Sequence, residues 1–151
     1  MKHLIFQVMS KEIAPCHYLR CPQDSAYEAV KEPDREIQQL LLWAQEAGLL
    51  AAWGPRRFML TEDAAQKVLA PKFPAFQKAV QALSAVTLEE FVQDDLLLEN
   101  LQIDLKHAVA SPLSCYIALD GQKPVLFERF LRMAVPNQDY YIGGVVLTFR
   151  D

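Results

Sequence analysis

The first apolar run, Leu4-Ile5-Phe6 followed by Val8, is nearly continuous and built from strand formers, which predicts a strand over His3 to Met9. A loop holding Pro15, Cys16, His17, Cys21 and Pro22 follows it. Ser25 with Glu28 three residues on has the pattern of a capping box and predicts a short helix, interrupted at Pro33. Asp34 and Glu36 then place negative charge in the first turn of a longer helix, where the macrodipole favours it. Ile37, Leu40, Leu41, Ala44 and Ala47 recur at helical spacing as its buried stripe, and Gly48 or Gly54 closes it. Arg56 to Leu60 reads as a short strand. Thr61 is placed to cap another helix, with Glu62 and Asp63 in its first turn and Pro71 as its stop.

Pro74 suits the first turn of a helix running to about Ala85. Thr87 and Glu90 form a second capping box, opening a helix that carries Phe91, Val92 and part of Leu96 to Leu98. Then the period changes. Leu101, Ile103 and Leu105 alternate with Gln102, Asp104 and Lys106, the period of a half-buried strand. Leu113 to Leu119 predicts another strand, ended by the turn pair Asp120-Gly121. Residues 125–135 fit two patterns. Glu128 and Arg132 at i,i+4 support a helix, whereas Val125, Phe127 and Phe130 suit a strand. Tyr140 to Phe149 predicts a last strand, in which Gly143-Gly144 marks a bulge or a close backbone approach. Taken in order, these elements predict an α+β fold. A helical middle, about residues 25–98, packs on a mostly antiparallel sheet from the N-terminal strand and the C-terminal third.

The 151 residues are 52% hydrophobic and 23% charged, without repeat, linker or low-complexity stretch, which predicts a single domain over 1–151 with its own core. No apolar stretch approaches the ~18 residues of a membrane span, and the N-terminus lacks the apolar segment and cleavage site of a secretory signal. Three cysteines (an odd number) fit free thiols in a reducing compartment better than a disulfide framework, so a cytoplasmic protein is expected.

Charge alters this picture more than composition does. Net charge is −4, and no Lys or Arg occurs between Lys78 and Lys106. Glu89, Glu90, Asp94, Asp95, Glu99 and Asp104 all fall in that gap. Like charges at i,i+4, as in Glu90/Asp94 and Asp95/Glu99, repel by a few tenths of a kcal/mol, so an unmixed run asks for a reason. A surface of this sign repels phosphate backbones and favours basic partners.

Candidate chemistry is sparse. Cys16, His17 and Cys21 are of zinc-ligand type, but a structural site wants a fourth ligand at paired spacing, and His107 and Cys115 lie far along the chain. Activation of Cys16 or Cys21 by His17 or His107 lacks an orienting third group. Asp94 or Asp95 followed by Asp104-Leu105-Lys106 on a strand resembles the acid, acid-x-lysine arrangement of metal-dependent nucleases, where carboxylates hold the cation and the lysine steadies the phosphate. The Pro-Asp dipeptide usual there is absent, and the acidic surroundings oppose a phosphate substrate. Residues 34–69 resemble part of a winged-helix unit: a helix ending at Gly48-Leu49-Leu50, a turn with Arg56-Arg57, a short Phe58-Met59-Leu60 strand and a further helix. The resemblance covers about a quarter of the chain and implies duplex DNA binding through Arg56 and Arg57. It departs from the usual pattern at Ala64 and Ala65, where glycine often stands. The preceding helix turns Gln38, Gln39, Gln45 and Glu46 outward rather than basic residues. Glycine-rich phosphate loops, a nucleophile elbow and HExxH-type metal motifs are absent.

The leading expectation is therefore a non-enzymatic protein-binding module, immunity- or antitoxin-like, that shows Glu89, Glu90, Asp94, Asp95, Glu99 and Asp104 to a basic protein. It calls for no metal, cofactor or membrane. A winged-helix-like regulator using Arg56 and Arg57 is the alternative, and a nuclease-like enzyme comes third.

Overall fold

A computed structural model of the chain describes residues 2–24, 26–111 and 113–150. The fold is α+β, with a seven-stranded, mostly antiparallel sheet among these residues. Two compact units are distinguishable, residues 1–65 with 113–151, and residues 66–112.

The first unit is built around two strands, β1 (Lys2–Met9) and β7 (Asp139–Arg150), which pair antiparallel from Lys2↔Arg150 to Met9↔Tyr141. The other edge of β1 pairs in parallel with β5 (Cys115–Leu119). The far edge of β7 is shared: β4 (Arg57–Leu60) takes residues 139–141 and β2 (Tyr27–Ala29) takes residues 147–149. β3 (Leu50–Gly54) forms a hairpin with β4 at one side of the sheet, and the two-residue β6 (Val125–Leu126) closes the other. Being central, β1 is buried on both faces from Ile5 to Val8, which accounts for the nearly continuous apolar run that only Gln7 interrupts.

Alternation divides the core between the two faces. Phe6, Val8, Ile117 and Val146 share one, and Ile5, Ala118 and Leu147 share the other, against which Leu19 and Tyr27 pack. Helix α1 (Pro33–Glu46) packs on β3 and β7 through Ile37, Leu41 and Ala44, with proline in its first turn as its sequence asks. It ends in a Schellman motif. Gly48 takes φ 72°, its N–H bonds the Gln45 carbonyl and the Leu49 N–H bonds the Ala44 carbonyl. Between the two candidate closures, Gly48 is the one used.

Residues 125–135 resolve in favour of a helix. After β6, Phe127–Met133 is α6, and Phe127, Phe130 and Leu131 are buried at i, i+3, i+4. Phe130 meets Tyr140 edge-on at 5.7 Å, and Tyr140 stacks on Phe58 at the same separation. The capping box foreseen at Ser25 and Glu28 does not start a helix. Ser25 lies outside the described residues, and Glu28 sits in β2, where pairing with β7 outweighs local propensity. Thr61 is not a side-chain cap either: its hydroxyl donates to the Gly48 and Leu49 carbonyls, tying the end of α1 to the end of β4. The helix α2 (Ala64–Leu69) begins three residues later.

The second unit is helical. After a 3₁₀ turn at Ala70–Lys72 come α3 (Phe73–Ser84), α4 (Leu88–Gln93) and α5 (Asp95–Val109). The strand foreseen over Leu101 to Lys106 is instead the middle of α5. Leu97, Leu98, Leu101, Leu105 and Ala108 form its covered stripe at spacings of three and four, and Ile103, which a strand would align with Leu101, is 41% exposed. Helical ends settle the contest. Asp94 Oδ1 accepts from the Leu97 N–H at 3.0 Å, and Lys106 and His107 occupy the last turn.

Candidate functional site

The six carboxylates of the basic-free stretch are all exposed, and none makes an ion pair among the described residues. Four of them serve helix ends. Glu89 and Glu90 sit in the first turn of α4, Asp94 caps α5 and Asp95 follows it. At the start of α4 the Thr87 cap of the expected box is formed, Oγ1 accepting from the Glu90 N–H, while the Glu90 carboxylate accepts from the Thr87 hydroxyl rather than from its backbone N–H. Helix termini thus offset part of the like-charge repulsion in the run. Glu99 and Asp104 have no such role. Asp95 and Glu99 lie one turn apart on one side of α5. Asp104, nine residues from Asp95, falls about half a turn round on the other. Asp94, Asp95 and Glu99 therefore lie at the α4–α5 junction, Glu89 and Glu90 in the first turn of α4, and Asp104 stands apart from them.

Apolar side chains share that junction. Leu88 is 80% exposed, Val92 73%, Leu96 65% and Phe91 62%, and α4 buries none of its six residues. Phe91 and Val92 lie in the helix expected after the Thr87–Glu90 pair. Their i, i+3, i+4 spacing with Leu88 is the signal of a hydrophobic face, but nothing in one sequence tells a covered face from an open one.

Helical geometry also dissolves the nuclease-like arrangement. Asp104 and Lys106 are two residues apart on a helix, about 200° round its axis, so they do not share a face as they would on a strand. Among the described residues, no three His, Cys, Asp or Glu side chains converge as a metal site. Cys16 and Cys21 are exposed in the loop after β1, and Cys21 Sγ lies 3.5 Å from the Tyr27 carbonyl oxygen. Cys115 is buried in β5, and desolvation pushes its thiol up to about 12, so it stays protonated.

Arg56 and Arg57 are engaged within their own chain. Arg56 donates to Asp34 at 2.6 Å and to the Tyr18 hydroxyl at 2.9 Å, and Arg57 donates to Asp139 at 2.6 Å. Those carboxylate hydrogen bonds raise both guanidinium pKa values further above neutrality. The helix–hairpin–helix order of residues 34–69 is present. Its hairpin is hydrogen-bonded into the seven-stranded sheet through β4 and β7.

Two further features escaped the sequence. Gln7, 7% exposed in β1, accepts from the Leu19 N–H through Oε1 and donates from Nε2 to the His17 carbonyl, pinning the loop that carries Cys16 and His17. A groove of about 690 Å³ also opens between α1 and the β3–β4 hairpin. Leu41, Leu42, Ala52 and Pro55 line it together with Gln38, Gln45 and the Asp34–Arg56 pair. It contains no nucleophile with an adjacent base, and its single carboxylate is spent on Arg56.

No protein-family model, curated protein or solved structure matches this chain. No helix among the described residues is long and apolar enough to cross a membrane.

Proposed function

We propose that the chain is a non-enzymatic protein-binding module, of the immunity or antitoxin kind, which offers the carboxylates of residues 89–104 to a basic protein. The observation that carries this reading is the exposure of all six side chains without a cationic partner among the described residues. Capping accounts for Glu89, Glu90, Asp94 and Asp95 as stabilisers of their helices, but leaves Glu99 and Asp104 without an intramolecular reason. Fixed charge of one sign raises the encounter rate with an oppositely charged partner and disfavours wrong ones. A basic cleft that handles nucleic acid is the kind of surface it would occlude.

The test compares the wild type with Glu89→Gln/Glu99→Gln/Asp104→Asn, which keeps Thr87, Glu90 and Asp94 at the helix starts. Binding to basic proteins in lysate is expected to weaken about tenfold on neutralisation and to fall with salt over the physiological range. If the variant retains the same proteins with the same salt dependence, the carboxylates are not a binding surface.

A further inference from the structure

We infer that the α4–α5 junction docks a cationic amphipathic helix, which covers Leu88, Phe91, Val92 and Leu96 while its basic residues meet the flanking carboxylates; this rests on the acidic-surface reading and names its partner.

The apolar face is the independent observation. A six-residue helix is too short to persist in water on its own propensity, and helices in proteins are held chiefly by burying an apolar face. Helix α4 buries nothing, yet three of its six residues are large and apolar, 62–80% exposed at i, i+3, i+4. The unit around it has a thin core: between residues 66 and 111 only Ala79 and Leu101 are buried. The Thr87 cap and packing on α5 hold α4 without covering its apolar face, and a group laid over that face would supply the missing burial.

Charge selects the occupant. Glu89, about 100° round α4 from Leu88, borders the Leu88–Phe91–Val92 face while Glu90 lies on the other side of the helix; Asp95 and Glu99 neighbour Leu96 on α5, Asp94 caps that helix, and no Lys or Arg stands between Lys78 and Lys106. A second copy of this surface would bring like charges together, which costs affinity. An amphipathic helix with apolar residues at i, i+3, i+4 and Lys or Arg along the margins satisfies both features at once, in the helix-on-apolar-surface mode of recognition.

The test uses the whole chain and a fluorescently labelled Leu/Lys amphipathic peptide of about five turns. A peptide of identical composition, scrambled so that it has no apolar face, is the comparison. Fluorescence anisotropy should show the amphipathic peptide binding at least about tenfold more tightly than the scrambled one, and Phe91→Ala/Val92→Ala should weaken it at least about tenfold. Because Phe91 and Val92 are exposed, the variant should keep the wild-type circular dichroism and melting. Equal binding of both peptides, or binding that ignores Phe91→Ala/Val92→Ala, overturns the docking inference while leaving charge attraction in place. Binding of neither peptide removes the acidic-surface reading as well. Self-association of the free chain that Phe91→Ala/Val92→Ala abolishes makes a second copy the occupant and also overturns it.

Discussion

Gly143 and Gly144 sit where β7 passes from β4 to β2, and each is held bare by a neighbour. The β1–β7 register slips there: Phe6 faces Val146 and Val8 faces Ile142, so β7 spends extra residues on the bend. A Cβ on Gly143 would overlap the Gln7 amide, and one on Gly144 would come within 2.6 Å of Arg56 and of the Tyr18 ring. Gly143→Ala is therefore expected to cost about 1–3 kcal/mol in urea unfolding, because Gln7 must give up its hold on His17 and Leu19. Gly54→Ala, with open space where its Cβ would go, should change stability by about 0.5 kcal/mol or less. Cys115 gives a pH test. Its folded thiol titrates near 12 against an ordinary 9.0, so above pH 9 the unfolded chain releases a proton that the folded chain keeps. Its contribution is complete below pH 9 and declines as pH rises towards 12. The urea-midpoint difference between wild type and Cys115→Ala should shrink over that window, and a thiol reagent at neutral pH should label Cys16 and Cys21 well before Cys115.

Among the elements, α5 most clearly separates strand-like alternation from helical burial. Leu101 is 9% exposed and Ile103 41%. Leu101→Ala should cost about 2–3 kcal/mol, and Ile103→Ala about 0.5 kcal/mol or less, followed by far-ultraviolet circular dichroism during unfolding. Similar losses at both positions would fit a strand instead. Elements with explicit punctuation were legible beforehand: α1 from Asp34, Glu36 and Gly48, α3 from Pro74, and the Asp120-Gly121 turn, where both residues take positive φ. Leu101 to Lys106 misled because six residues satisfy both periods, and only Asp94 as a cap and Leu97–Leu98 upstream distinguish them. β2 was illegible for another reason. Its three residues have no pattern of their own and are strand only because β7 offers an edge. As for the candidate site, the exposure of its carboxylates was readable from charge placement. Local uses were readable only in part, since the Thr87 cap was visible, whereas the Asp94 cap required knowing where α5 begins.

At the scale of the chain, the two units differ in how deeply they bury their helices and strands. The first contains Phe6, Phe130, Ile37, Leu49 and Ile117, each under 2% exposed, while the second has two buried residues among those described. Local opening follows buried apolar contact, so hydrogen exchange should be faster throughout residues 73–109 than in β1 and the paired part of β7. A cationic helix bound at the α4–α5 junction should slow exchange there. Uniform protection across both units in the free chain would contradict the difference in burial.

The pairing of β1 with β7 also sets an order for the making of the protein. Helices α3 and α5 pair with one another within residues 73–109, so their contacts are available while translation continues. Those of β1 are not: its antiparallel neighbour lies some hundred and thirty residues downstream, and its parallel neighbour β5 little nearer. From synthesis until β7 leaves the ribosome, Leu4, Ile5, Phe6 and Val8 form an unpaired, sticky edge, and distant pairings of this sort are slow to close. The nascent chain should therefore depend on chaperone cover at its N-terminal strand, and a circular permutant that joins β7 directly to β1 should need less of it.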